Sequence, residues 1–215
     1  MSTGSKPEQK KPSVLREYVQ TALWVLVLTF ALRAFVIQAF RIPSESMVPT
    51  LLKGDFLFVN KFEYGPQIPF THVRLPGLRP PRRGDVIVFQ YPRDPRIDYV
   101  KRCIATGGQT VEVRDKRVIV DGHPLDEPYA IRTDPATLPA GFEPRDNFGP
   151  YTLAPGELFM MGDNRDNSND SRFWGPVKME LVRGRAMFIY FSTAGSNALE
   201  AFGKIRFGRL LHVIQ

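Results

Sequence analysis

An apolar run near the N-terminus constrains this chain most, because it decides which part of the protein meets lipid and which meets water. Residues 19–37 are almost wholly apolar, and the stretch 22–32 reads ALWVLVLTFAL, interrupted only by Thr29. A run of this length can cross a bilayer as a single helix. Arg33 lies near its end, where a long basic side chain can reach the lipid headgroups. We therefore predict a membrane-spanning anchor over residues 18–37.

The residues on either side of this run indicate whether it is removed and how it is oriented. A removable signal peptide needs a small-x-small site after its apolar core, and residues 37–39, Ile-Gln-Ala, match that pattern weakly. We therefore expect the anchor to remain attached. Residues 1–17 are polar and carry four basic side chains, Lys6, Lys10, Lys11 and Arg16. Because positive charge favours the cytoplasmic side, we predict a cytoplasmic tail at 1–17, with residues 38–215 outside the cytoplasm.

The composition argues against several classes of protein. Hydrophobic residues make up 43% of the 215, enough for a packed core, and the formal charge of +7 comes from scattered basic residues. No DNA- or RNA-binding motif accompanies this charge, so we expect membrane lipid and not nucleic acid as a partner. Cys103 is the single cysteine, and we interpret it as a core residue because it has no partner for a disulfide. We expect neither a metal nor another cofactor, because metal-ligand spacing is absent among the histidines, His72, His123 and His212.

Beyond the anchor the sequence favours strands over helices. Short runs rich in β-branched and aromatic residues end at Gly, Pro or Asp, which is typical of strands. These runs are 55–60, 85–91, 98–105, 110–114, 117–121, 157–161 and 185–191. Asp115 and Lys116 separate two of them and fit a hairpin turn. Residues 124–155 are rich in Pro, Asp and Gly and lack periodicity, which predicts a long surface excursion.

Three polar clusters contain the candidate reactive residues. The first, 42–51, reads IPSESMVPTL; the second, 98–102, reads DYVKR; the third, 161–175, reads MGDNRDNSNDSRFWG. Each cluster alone is more often a turn, a solvated strand or a polar loop. The third also invites comparison with a calcium-binding loop. That reading is weak, because Arg172 and Phe173 would stand where later ligands are needed and no Glu closes the loop.

Taken together, in this order and behind this anchor, the clusters resemble the bacterial type I signal peptidase family. The third cluster is the most specific, and the segment 83–89, RGDVIVF, matches another part of the family pattern. The resemblance extends from the apolar run to about residue 192. It implies a mainly β, barrel-like catalytic domain with a smaller inserted region at about 106–155.

The resemblance also implies roles for individual residues. Ser46 would be the nucleophile and Lys101 the general base, while the Ser44 hydroxyl and the Ser46 N–H would stabilise the oxyanion. Ser168 would orient Lys101 through a hydrogen bond. An ion-paired support would be formed by Asp170 and Arg172, with Arg102 as a further member. The substrate pockets would be lined by Phe40, Ile42, Met47, Leu51, Tyr99 and Val100.

A lysine can serve as the base only in its neutral form. A free lysine has a pKa near ~10.4, and burial lowers it. We therefore expect a serine endopeptidase of the bacterial cytoplasmic membrane that removes signal peptides from exported preproteins after small-x-small sites. Two alternatives remain open: a serine–lysine peptidase specialised for one secreted protein, and an inactive membrane-tethered module that only binds secreted chains.

Overall fold

The computed structural model describes residues 14–68, 71, 73–195, 200 and 203–215. Most of the predicted cytoplasmic tail, and His72, therefore lie outside the described residues. The described helices are α1 (Val14–Phe35) and α2 (Ser171–Trp174), with 3₁₀ turns at Arg165–Asn167, Met179–Leu181 and Phe207–Arg209. The strands are β1 (Ile37–Arg41), β2 (Asp55–Asn60), β3 (Val86–Tyr91), β4 (Asp94–Thr106), β5 (Thr110–Arg114), β6 (Arg117–Val120), β7 (His123–Pro124), β8 (Phe148–Thr152), β9 (Glu157–Met161), β10 (Val177–Lys178), β11 (Val182–Ser192) and β12 (His212–Val213).

Helix α1 contains the apolar run but is displaced towards the N-terminus relative to the predicted anchor. It begins at Val14 and ends at Phe35. Within the described residues its stretch Val14–Arg33 is the one helix long and apolar enough to cross a membrane, and none of that stretch is buried against the rest of the protein. The helix stops before the predicted end at residue 37, because Ile37 already pairs with Asn60 as the first residue of β1.

The larger sheet is built around β2, β11, β3 and β4. Its strand order is β1–β2–β11–β3–β4–β9–β10, and β12 pairs with β11. Every strand predicted from the sequence is present, although β4 begins earlier, at Asp94. Strand β1 was not predicted, because its sequence IQAFR contains a single β-branched residue and two polar ones. The mainly β fold class with one apolar N-terminal helix is confirmed.

Side-chain alternation along the strands separates the core from an outer aromatic face. In β2, Leu57 and Val59 are fully buried, because successive residues of a strand point to opposite sides. Phe56 and Phe58 point the other way, and their rings contact the ring of Tyr190 on β11. Around β2 and β11 the sheet is therefore packed on one side and presents aromatic rings on the other, whereas β3 is buried on both sides over Val86–Phe89.

The smaller sheet has the order β7–β6–β5–β8. The turn between β5 and β6 is formed by Asp115 and Lys116, both with positive φ (46° and 67°), so the predicted hairpin is confirmed. The excursion predicted at 124–155 is partly structured, because β8 pairs with β5 and Leu153 is buried. Between β7 and β8, Ile131 forms an isolated bridge to Asn164, which joins this stretch to the loop after β9.

Candidate active site

Ser46 and Lys101 meet where the loop after β1 crosses β4. The Lys101 Nζ donates a hydrogen bond to the Ser46 Oγ at 2.5 Å. Both residues are buried, with 8% of Ser46 and 4% of Lys101 exposed. A hydroxyl within hydrogen-bonding reach of an amine has the geometry that a serine nucleophile and its base require. The structure therefore brings together the two residues predicted to perform the chemical step.

The surroundings of Lys101 favour its neutral form. Burial lowers the pKa of Lys101 to about 8; the Asp170 charge raises it and the Arg172 charge lowers it. The neighbouring ion pair thus partly cancels its own effect, and burial decides the outcome. The Nζ also lies 5.7 Å from the centre of the Tyr99 ring, so its surroundings are partly aromatic.

Ser44 lies on the same loop as Ser46. The two hydroxyl oxygens are 3.4 Å apart. The Ser46 N–H donates to no acceptor in the described part of the chain. A free amide and a hydroxyl beside a nucleophile are the donors from which an oxyanion hole is built. Ser44 lies where its predicted role requires, and that role stays a prediction.

The hydrogen bond predicted between Ser168 and Lys101 is absent from the structure. The Ser168 hydroxyl is buried and has no hydrogen-bonding partner among the described residues, while Lys101 Nζ donates to Ser46. The Ser168 Oγ lies beside Gly162, where an added Cβ would overlap both that oxygen and the Ser46 carbonyl. Gly162 thus lets two segments of the site approach closely, since any side chain would push them apart.

Asp170 and Arg172 form the buried ion pair that was predicted. The Arg172 Nε donates to the Asp170 Oδ1 at 2.8 Å, and their side chains are 2% and 0% exposed. Burial alone would raise the pKa of Asp170, but the charge and hydrogen bonds of Arg172, helped by Lys101 and the Gly162 N–H, hold it below its usual value. Asp170 therefore stays ionised and caps the start of α2 by accepting from the Arg172 N–H.

Arg102 does not join this pair but forms a separate buried ion pair with Asp163, and its supporting role stays a prediction. Its Nε and Nη2 donate to the two carboxylate oxygens of Asp163 at 2.8 and 2.7 Å. The physical reason is strand alternation, because Arg102 points to the side of β4 opposite Lys101 and away from Asp170.

Asp163 and Asn164 hold the loop that carries Ser46, although neither was singled out from the sequence. The Thr50 Oγ1 donates to the Asp163 Oδ2 at 2.6 Å. The Asn164 N–H donates to the Ser46 carbonyl at 3.1 Å, and the Asn164 Nδ2 to the Glu45 carbonyl at 3.3 Å. Both residues lie in the third polar cluster, but a polar run does not reveal which of its side chains point inward.

A cleft of about 360 Å³ opens beside Ser46. Four predicted pocket residues line it, Phe40, Ile42, Tyr99 and Val100. Met47 and Leu51 do not, because the loop turns inward after Ser46 and leaves their side chains 1% and 0% exposed in the core. The cleft has further lining residues that were not predicted from the sequence, among them Val88, Ile97, Asp98, Asn167 and Asn169.

Among the described residues, those considered for other chemistries form no hydrogen bond with Ser46 or Lys101. Cys103 is fully buried, and burial raises the pKa of its thiol to about 12. His123 and His212 lie on the exposed strands β7 and β12. Across the described ranges, no three His, Cys, Asp or Glu side chains are grouped to hold a metal ion.

The fold and the site define a mainly β hydrolase with a serine and a lysine in contact. A family described as signal peptidase, peptidase S26, matches residues 15–191. That match covers most of the chain, and the chain belongs to this signal peptidase family.

Individual relatives agree with the family match. Signal peptidase I of Pseudomonas aeruginosa is 38% identical over 189 residues, which cover 79% of this chain and 66% of that protein, just under two thirds. Signal peptidase I of Pseudomonas fluorescens is 37% identical, covering 85% of this chain and 74% of the relative. The probable signal peptidase I-1 of Synechocystis is 36% identical, covering 87% and 88%. A crystal structure of a signal peptidase I from Enterococcus faecalis shares 32% identity, covers 50% of this chain and 97% of its own, and has a TM-score of 0.41.

Proposed function

We propose that this chain is a membrane-anchored serine endopeptidase that cleaves N-terminal signal peptides from exported preproteins after small-x-small sites. The observation that carries the proposal is the hydrogen bond from the buried Lys101 Nζ to the Ser46 Oγ beside the cleft. Family membership supports the substrate class, because the relatives are named signal peptidase I.

In the first chemical step the neutral Lys101 amine takes the proton of the Ser46 hydroxyl. The Ser46 Oγ attacks the carbonyl carbon of the scissile peptide bond, and the carbonyl oxygen becomes an oxyanion. The Ser46 N–H and the Ser44 hydroxyl are the donors that would stabilise this negative charge. As the peptide C–N bond breaks, the Lys101 ammonium gives its proton to the leaving amine, and the signal peptide remains as an ester on Ser46.

The second step releases the signal peptide from the enzyme. Lys101 is neutral again and takes a proton from a water molecule, whose oxygen attacks the ester carbon. The C–O bond to Ser46 breaks, and the proton returns from Lys101 to the Ser46 Oγ. One lysine can serve both steps because its pKa of about 8 lets it accept and return a proton near neutral pH.

The cleft suits an extended peptide with small side chains. Residues of β4 before Lys101 pair with β3 on one side, whereas pairing with β9 begins only at Arg102. Strand β1 pairs with β2 alone within the described sheet. Free strand edges bind extended peptides through main-chain hydrogen bonds, and alternate side chains then enter pockets. The apolar wall of Ile42, Tyr99 and Val100 leaves about 360 Å³ for main chain and side chains together, which favours small residues.

The position of α1 supports anchoring of the catalytic residues close to a membrane. Ser46 lies only eleven positions after Phe35, the last residue of α1. Even a fully extended segment of this length spans at most about 40 Å. The outer aromatic face at Phe56, Phe58 and Tyr190 includes a half-buried tyrosine, a residue type enriched at membrane–water interfaces. With the basic tail in the cytoplasm, the catalytic domain would lie on the outer side of the bacterial cytoplasmic membrane.

Cells depleted of their own signal peptidase provide the test. The full chain should restore conversion of preproteins to mature proteins, followed by gel mobility of a secreted reporter. Ser46→Ala removes the nucleophile but no packing contact of the core, so it should reach the membrane at the same level and process nothing. Processing by a folded Ser46→Ala protein would sink the assignment of the nucleophile. No processing by the wild type would sink the proposed function.

A further inference from the structure

The stretch between β7 and β8 contacts the buried ion pair of Arg102 and Asp163 through Tyr129. Tyr129 lies on the stretch between β7 and β8, and the centre of its ring is 4.0 Å from the guanidinium carbon of Arg102. Arg102 is only 2% exposed. A guanidinium this close to an aromatic face gains a cation–π contact, and the ring also keeps water from the charge. The reaction steps above make no use of Tyr129.

Arg102 connects this ring to the loop that carries the nucleophile. Every side-chain nitrogen of Arg102 donates: the Nε and Nη2 to Asp163, the Nη2 also to Thr50 Oγ1 at 3.3 Å, and the Nη1 to two main-chain carbonyls. Asp163 in turn accepts from the Thr50 hydroxyl at 2.6 Å. Since Thr50 lies on the loop of Ser46, a shift of the guanidinium would be passed to that loop.

Contacts on both sides of Tyr129 hold its ring in place. After it, the Ile131 N–H donates to the Asp163 carbonyl at 2.8 Å, and the Arg165 N–H donates to the Ile131 carbonyl at 3.0 Å. Before it, Glu127 accepts two hydrogen bonds of 2.7 Å from the buried Arg165 side chain. Residues 127–131 are therefore bonded directly to residues 163–165, and Asn164 of that stretch donates to the Ser46 carbonyl.

We propose that Tyr129 is a positioning residue for peptide cleavage: its ring seals the Arg102–Asp163 ion pair, and this pair fixes the loop that carries Ser46. The kinetic part of the proposal rests on the proposed function. Its structural part, the rigidity of the loop, does not depend on any activity.

Two substitutions and a matched control test the proposal in the full chain in detergent. Tyr129→Leu removes the ring, so kcat for a preprotein should fall about tenfold with KM unchanged. Tyr129→Phe keeps the ring and should restore kcat to within about twofold of wild type, because the Tyr129 hydroxyl makes no hydrogen bond to a described residue. Tyr151→Leu removes a half-buried ring from β8 of the same region and should leave kcat unchanged at matched thermal stability.

Hydrogen exchange supplies a readout that needs no catalysis. In Tyr129→Leu, the amides of the Ser46 loop, such as the Leu51 N–H bonded to the Met47 carbonyl at 2.8 Å, should exchange faster, while Tyr129→Phe and Tyr151→Leu should match the wild type. Unchanged exchange of this loop in Tyr129→Leu overturns the proposal, whether or not the wild type cleaves preproteins. An equal fall of kcat in Tyr129→Leu and Tyr151→Leu overturns it as well, since general destabilisation would then suffice.

Discussion

The two sides of β4 surround their basic residues in opposite ways. Lys101 and Arg102 are adjacent in the sequence and buried to a similar degree, at 4% and 2% exposure. On one side, the Lys101 Nζ meets a neutral hydroxyl, that of Ser46, and forms no salt bridge with any described residue. On the other side, Arg102 has a bidentate carboxylate partner, Asp163, and acceptors for its remaining donors.

This difference fits the two roles that we propose for adjacent residues of one strand, a base at Lys101 and a support at Arg102. Burial disfavours an unpaired charge, so the Lys101 side pushes its amine towards the neutral form and lowers its pKa to about 8. A buried charge that is paired and fully hydrogen-bonded can instead remain, and the Arg102 side uses it to join separate segments. In the proposed mechanism the neutral amine of Lys101 is the base, and the paired guanidinium of Arg102 holds the loop of Ser46 in place.

Replacing Lys101, the proposed base, should have the largest effect on activity and tests the first side of the comparison. Lys101→Arg keeps a positive charge, but a guanidinium does not lose its proton at usable pH. Cleavage should fall by about 10⁴-fold or to background, as it should in Lys101→Met, measured with purified enzyme and a preprotein.

The pH dependence of the wild type provides the matching check. Cleavage should rise as the Lys101 ammonium loses its proton, with a midpoint near 8 instead of the ~10.4 of free lysine. Substantial activity in Lys101→Arg, together with a flat profile, would show that Lys101 acts as a positive charge and that another group is the base.

Removing the charge of Asp163, the partner of Arg102, should lower the stability of the protein and tests the second side of the comparison. Asp163→Asn leaves a buried guanidinium without its anion, which typically costs about 3–5 kcal/mol of stability. Denaturant unfolding of the detergent-solubilised chain measures this loss, and Arg96→Gln, at an exposed ion pair with Asp94, is the control expected to change little. A loss in Asp163→Asn no larger than that in the control would mean that the pair contributes no rigidity.

Ser44→Ala should affect the reactive side alone. It removes one candidate oxyanion donor, 3.4 Å from the Ser46 Oγ, and leaves the base in place. We expect kcat to fall by about 10²–10³-fold, with smaller changes in KM and in unfolding stability. An unchanged kcat would remove Ser44 from the oxyanion hole, and a large loss of stability would show that the two sides of β4 are not separable.

The reactive side was easier to predict from the sequence than the supporting side. The roles expected of Ser46 and Lys101 followed from the resemblance of their segments to a known family, and the strands followed from runs of β-branched and aromatic residues. The partner of Arg102 depends instead on which way each residue of β4 points, and that requires the register with β3 and β9. Met47 was misplaced for a similar reason, because the sequence of a tight loop does not show which side chains turn inward.

Tyr129 marks the limit of sequence reasoning in this protein. Residues 124–155 have no periodicity from which a packing direction follows, and a tyrosine within them reads as a surface residue. Its contact with Arg102 arises from the bridge between Ile131 and Asn164, which joins segments that are distant in the sequence. No local pattern encodes such a pairing, so the contact becomes visible only in the folded chain.

Cys103 lies on the same strand as Lys101, and its modification or replacement should have the smallest effect on cleavage. It points to the same side of β4 as Lys101 and is fully buried. Burial favours the neutral form of both groups, so it lowers the pKa of the amine and raises that of the thiol to about 12. At a pH where Lys101 becomes neutral, Cys103 therefore remains in its thiol form. Iodoacetamide should therefore leave cleavage unchanged, and Cys103→Ala should keep kcat, measured on enzyme before and after treatment. Rapid inactivation that Cys103→Ala abolishes would show that this side of β4 is open to solvent, and the explanation of the lowered lysine pKa by burial would fail with it.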